Sequence, residues 1–412
     1  MRAGFGRWEI TPDRSMHMAG FDRRKDPSTG TLDLLEVCVL ALEDSQQNPF
    51  LMCVFDLLGT DSSLCTRVRE AIASRLELAP ERIWVGATHT HSAPTGHFSG
   101  NQSYNEYYVN LLATQAVSAA ADAVTNLQPA VASGAMAQAT GVASLRNRGR
   151  EGSEFPMPLP LMFLDNEQKP LGLARISVHP TVLDERNLLY SRDLPGQLRD
   201  GVEQTRTCLV LNGPCADLST RFTRRASDPE ELSRLGNILA EAVLNAQPRP
   251  IPEFGAEIRT AEKVVYLSRS ASLSGDLREN ILTALREKAA ACTDAQALRE
   301  YDSRIAVLER SAVAAEKNRM IRIGAVNLGS CTLVGVPFEV DYADGLDLEQ
   351  TLTQIAGQPV HLVCYTFGYD GYLPSGAPLS PESSYEDIAS RYLPESRAQV
   401  WECAKACVME VM

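Results

Sequence analysis

Two of the chain's six histidines sit one residue apart, in Ala87-Thr88-His89-Thr90-His91-Ser92-Ala93-Pro94. The run follows Ile83-Trp84-Val85, an apolar stretch that reads as a buried strand ending there. In an extended backbone, positions i and i+2 point to the same side, so both imidazoles are expected to face one pocket. One imidazole can ligate a metal while the other hydrogen-bonds or carries a proton beside it. An isolated pair of this kind also suits two polar residues in a surface loop, so the rest of the chain has to decide.

Further polar clusters occupy the same kind of place, directly after an apolar run. His179 closes Ala174-Arg175-Ile176-Ser177-Val178 and precedes Pro180, which keeps the backbone extended and stops the ladder. Asn212-Gly213-Pro214-Cys215-Ala216-Asp217-Leu218-Ser219 follows a strand expected at Cys208 to Leu211. Glu339 follows Thr332 to Val336 and a proline, and Tyr369 and Tyr372 follow His361 to Tyr365. Strand ends that gather side chains at one edge of a sheet are where α/β enzymes build sites. Two histidines and a carboxylate with an open position for water make a catalytic zinc set. Singly, each residue has a plainer reading. His179 suits a satisfied core histidine, Glu339 a loop carboxylate and Tyr372 packing in a glycine-rich loop. Asp217 suits an Asx-turn, and Ser219 a cap or turn, since it lacks the G-x-S-x-G setting of a nucleophile elbow.

The elements that must position these residues alternate between apolar, β-branched runs and helical patterns, which predicts an α/β fold with a mixed β-sheet core and flanking helices. Further strands are expected at Val37 to Leu42, Leu51 to Phe55, Leu161 to Leu164 and Ile321 to Val326. Helices are expected at Ser63 to Leu76, Asn105 to Leu127 and Glu230 to Asn245. The last has a clear start in Asp228 and Pro229, followed by Glu230 and Glu231. A charged helical pair reads as an insertion at about 273–317, its alternating charges a solvated face. No internal repeat stands out, and residues 1–412 read as one catalytic domain.

A formal net charge of −13 speaks against a nucleic-acid partner, which needs clustered Lys and Arg. No run of about eighteen apolar residues exists, so no membrane span or stable membrane association is expected. The start lacks the apolar core of a secretory signal. The ten cysteines are scattered, several within apolar runs, as free buried thiols are in a reducing compartment. A cytoplasmic protein acting on a small molecule is expected. Oligomeric state is not legible.

Taken together and in order, these pieces resemble the neutral/alkaline non-lysosomal ceramidase family, and more closely its short bacterial relatives of unassigned substrate. The resemblance runs over nearly the whole chain. It starts at Gly4 to Pro12, ending in Ile10-Thr11-Pro12, and continues through Thr88-His89-Thr90-His91-Ser92-Ala93-Pro94. It then takes in His179-Pro180-Thr181-Val182-Leu183, Asp193-Leu194-Pro195-Gly196, and Ala216-Asp217-Leu218-Ser219-Thr220-Arg221-Phe222-Thr223-Arg224. The resemblance implies a zinc-dependent amidase in which His89, His179, Glu339 and Tyr372 hold Zn²⁺. It places the active-site serine at Ser219, the second motif histidine at His91 and an oxyanion-stabilising tyrosine at Tyr385. Phe338, Ala216 and Arg192 depart from the family pattern and bear on substrate shape. No C-terminal β-sandwich like that of the long ceramidases is expected.

The expected reaction is hydrolysis of a linear amide bond in an N-acyl amine or peptide-like small molecule. His91 would relay a proton, Tyr385 would donate to the oxyanion, and Ser219 would attack or position water. Arg146 and Arg148 are candidates for binding a polar substrate group, or equally members of a solvated loop. Two alternatives stay open. One is a zinc esterase or lactonase on the same fold. The other is a non-catalytic binding relative, motivated by Phe338 and Arg192.

Overall fold

Twelve principal strands form three separate sheets, and apolar residues on alternating faces of those strands divide the core in two. The first sheet holds β1 (Arg2–Glu9), β2 (Glu36–Glu43), β3 (Pro49–Phe55) and β4 (Ile83–Ala87). The second holds β5 (Val131–Ala139), β6 (Met157–Asp165), β7 (Leu171–Ile176) and β8 (Thr207–Asn212). The third holds β9 (Arg259–Ser268), β10 (Asn318–Asn327), β11 (Thr332–Gly335) and β12 (Val360–Val363). The structure is a computed structural model and describes residues 1–99, 102–146, 155–167, 169–268, 275–310 and 318–412.

All three sheets are wired alike. The first three strands run antiparallel in chain order, and the fourth lies parallel to the third. A parallel pair needs a crossover, and each has a helix in it. The helices are α1 (Ser62–Leu76), α2 (Glu106–Thr125), α3 (Asp193–Val202), α4 (Pro229–Leu244), α5 (Gly275–Ala291), α6 (Ala295–Arg310), α7 (Tyr342–Ala356), α8 (Tyr385–Ala389) and α9 (Ser396–Val411). The crossovers are α1, α3 and α7, joined in packing by α2, α4 and α9. The chain is therefore a threefold structural repeat that its residue identities conceal. Connectivity and apolar pattern carry the repeat, while the matching strand ends are Phe55, Ile176 and Gly335.

One face of each sheet packs on its helices, as Val39, Val85, Ile176, Val210, Ile323 and Leu362 do. The other faces meet between the sheets through Leu40, Trp84, Leu173, Leu211, Leu333 and Val363. Burial on both faces makes the inner strands read as continuous apolar runs, which is why they are visible in the sequence. The outer strands β1, β5 and β9 are half exposed and were not expected. The start of α4 is as expected, with the Asp228 carboxylate accepting from Glu231 N–H at 2.9 Å. The α5–α6 pair lies between β9 and β10, and α6 packs on α8.

The antiparallel order has a directional consequence. The ends of the third and fourth strands of every unit, and the connection between its first two, all lie at the same end of the molecule. Those connections hold Gly20 in the first unit, Arg146 in the second and the helical pair in the third. Among the described residues no helix is long and apolar enough to cross a membrane.

Candidate metal centre

His89 lies two residues beyond β4 and leaves the strand with φ of 68°. Its side chain therefore does not share a face with His91 through extended backbone. A left-handed turn brings the two rings together instead. The His89 amide donates to Leu57 O at 2.9 Å, and its ring nitrogen Nδ1 lies 2.7 Å from Leu58 O. Tyr365, two residues beyond β12, has φ of 58° and stacks on the His89 ring at 4.0 Å and 11°. A Cβ at Gly20 would overlap the His91 ring, so only glycine lets that connection close over the histidine.

His179 follows β7, and its amide donates to Leu218 O at 3.1 Å. Its Nδ1 lies 2.8 Å from Cys215 O. Glu339 follows β11 and pairs through its backbone with the Tyr372 segment, its N–H donating to Gly371 O at 2.9 Å. All three sites are nearly sealed, with His89, His179 and Glu339 at 1%, 1% and 2% exposure.

The side chains converge. Glu339 Oε2 stands 3.0 Å from His179 Nε2 and 3.5 Å from His89 Nε2. His91 Nε2 stands 3.4 Å from His89 Nε2, and one ligand atom from each of the three histidines lies within 4.8 Å of the others. A carbonyl oxygen only accepts, so Nδ1 of both His89 and His179 must carry hydrogen. Each ring then presents Nε2 to the Glu339 carboxylate. Burial, aided by the Arg146 charge, pushes His179 down to about 4, and burial holds His91 well below its usual range. Burial alone would raise Glu339, but the facing imidazoles more than offset it and keep the carboxyl ionised. Two ring nitrogens and a carboxylate oxygen thus face one buried spot, an arrangement that suits a cation between them. Two imidazoles and a carboxylate form a donor set suited to zinc.

The remaining candidates surround this spot. Tyr372 pairs beside Glu339, and the Tyr372 ring meets Tyr385 edge-on at 5.8 Å. Burial raises the pKa of Tyr385, and the Arg146 charge opposes it. Arg146 is not on a solvated loop. It pairs with Glu386 at 3.3 Å and hydrogen-bonds Tyr372, and these partners raise its pKa against the effect of burial. Arg148 lies outside the described residues. Ser219 pairs through its backbone with His179, and its hydroxyl accepts from Arg221 N–H at 3.3 Å. Two neighbours had no expected role. Tyr365 stacks on His89, and Tyr369 donates to Glu339 Oε1 at 2.6 Å. The only sequence signal for Tyr365 is its place at the end of an apolar run.

Two expectations need correction. Phe338 does not crowd the site, because its fully buried ring turns to meet Tyr392 edge-on at 5.5 Å. Arg192 does not shape a pocket either. Its guanidinium is taken up by Asp33 at 2.9 Å, Glu36 at 3.0 Å and Asp200 at 2.8 Å.

Solved structures share this architecture. A neutral ceramidase from Pseudomonas aeruginosa matches with a TM-score of 0.79 at 15% identity, over 100% of this chain and 74% of that one. The chain has a neutral ceramidase-like fold. A ceramidase complexed with C2 matches with a TM-score of 0.78 at 16% identity, over 99% of this chain and 75% of the other. No family model matches the sequence, and no curated protein does. On this ceramidase-like fold the candidate centre draws on every repeat. His89 and His91 come from the first unit, His179 and Ser219 from the second, and Glu339 and Tyr372 from the third.

Proposed function

We propose that the chain is a zinc-dependent hydrolase cutting the amide bond of an N-acyl amine or peptide-like small molecule. The observation that carries this reading is the convergence of Nε2 of His89 and of His179 on Oε2 of the buried, ionised Glu339 carboxylate. The likeness to neutral ceramidase supports amide chemistry. His89, His179, Glu339 and Tyr372 would hold the ion, which when bound polarises a carbonyl and lowers the pKa of a water. Burial holds His91 well below its usual range, so its ring is neutral and would relay a proton beside His89. Tyr385 keeps its phenolic proton and would donate it to a developing oxyanion. Arg146 orients the Tyr372 phenol and places positive charge beside it. Ser219 would act next to His179, as nucleophile or by positioning water.

The partner is a small molecule, with no nucleic acid and no stable membrane association. The unpaired state of all ten cysteines supports the cytoplasm as its compartment.

Zinc content and turnover test the reading together. The expected result is close to one zinc per chain after reconstitution, with hydrolysis of an N-acyl amide from a broad panel. Zinc far below one per chain would overturn the site. Hydrolysis of only the ester in matched amide and ester pairs would replace the amidase by an esterase or lactonase. Full zinc without turnover on any substrate would leave a binding protein.

A further inference from the structure

The inner faces of the second and third sheets meet through Leu173, Leu211, Leu333 and Val363, and beside that contact lies a cavity of about 550 Å³. Leu161, Met162, Leu173 and Leu211 line it from one sheet, and Leu333 and Val363 from the other. This volume sits within the range of about 300–1,000 Å³ usual for small-molecule sites. None of its lining residues belongs to the metal centre.

Polar groups are few and asymmetrically placed. In the cavity wall, Arg175 is neutralised by Glu349, and His361 stands 3.9 Å from the same carboxylate. That part of the wall carries no net charge beyond the pair. At the rim stands Arg249, exposed, in a two-residue strand paired with Ser133 and Gly134. Among the described residues it makes no ion pair. A cavity with apolar walls and one unanswered cation at its mouth favours a single alkyl chain carrying an anionic head.

We infer that this cleft is a second binding site, for a single-chain anionic amphiphile of the fatty carboxylate class, with its chain between the sheets and its head at Arg249. Equilibrium dialysis of the full-length protein against dodecanoate below its micellar concentration tests this. Dodecanol and dodecyltrimethylammonium serve as neutral and cationic comparators. The expected result is saturable binding of one dodecanoate per chain, at least tenfold tighter than either comparator. Arg249→Glu, at an exposed position, should weaken dodecanoate at least tenfold. Ser330→Trp, which narrows the rim, should weaken all three ligands. His179→Ala, in the metal centre, should leave dodecanoate binding unchanged. Absence of saturable binding, or equal affinity for dodecanol, would overturn the assignment. So would loss of binding in His179→Ala with retention in Ser330→Trp, which would place the carboxylate at the metal centre.

Discussion

The Tyr369 hydroxyl donates to Oε1 of Glu339 at 2.6 Å, which leaves Oε2 to face His179 and His89. One carboxylate oxygen is thereby fixed by a phenol and the other is aimed at the imidazoles. The Tyr369 ring lies against Gly59, where a Cβ would overlap it, so its position is set by packing. Partners that orient a ligand in this way are worth about 10–100-fold in metal affinity. Tyr369→Phe keeps the ring and loses only the hydroxyl. It should weaken zinc retention in chelator competition by about tenfold while leaving thermal stability nearly unchanged.

His89 and His179 should behave alike on replacement, and His91 should not. His89→Ala and His179→Ala are each expected to abolish both zinc and turnover. His91→Gln should keep zinc and lower kcat by about 10²–10⁴-fold, the usual contribution of a positioned proton-transfer group. Zinc loss in His91→Gln would instead make His91 a ligand, which its 3.4 Å approach to His89 Nε2 would then explain.

Phe338 gives a test that separates packing from substrate shape. Its ring is wholly buried against Tyr392. Phe338→Leu should cost about 1 kcal/mol in denaturant unfolding while KM and zinc content stay put. A change in KM without loss of stability would return this residue to the pocket.

Arg199 holds the buried carboxylate of Asp56 at 2.5 Å, with side-chain exposures of 3% and 0%. Arg199→Met strands that charge in the core. Breaking one side of such a pair costs about 3–5 kcal/mol, so the unfolding midpoint should fall steeply.

His97 sets a pH dependence away from the metal centre. Its Nε2–H donates to Gly59 O at 2.6 Å, and burial pushes its pKa from 6.5 down to about 4. In the window between those values the unfolded chain binds a proton that the folded chain refuses. Stability is therefore full above about pH 6.5 and falls as pH drops toward 4. The loss from this residue approaches about 3 kcal/mol at the bottom of the window. His97→Gln keeps a donor and cannot titrate, so it should flatten the decline measured by urea unfolding from pH 7 to pH 4. An unchanged slope would refute this assignment.

The sequence by itself determined which strand ends hold the candidate residues. His89, His179 and Glu339 each lie within four residues of the end of a strand buried on both faces, and such strands announce themselves as unbroken apolar runs. The outer strands β1, β5 and β9 stayed hidden because one face meets water and their pattern dilutes. The crossover α3 stayed hidden because Pro195 and Gly196 in its first turn read as a turn. Only the tertiary structure decided that three repeats bring His89, His179 and Glu339 to one buried spot. Hydrogen bonds donated to distant carbonyls fix which ring nitrogen of each histidine faces Glu339, and no local pattern encodes those partners. Tertiary packing also turned Phe338 and Arg192 away from the site. A side chain's direction follows from which neighbours bury it, and at these positions the neighbours are Tyr392, Asp33, Glu36 and Asp200.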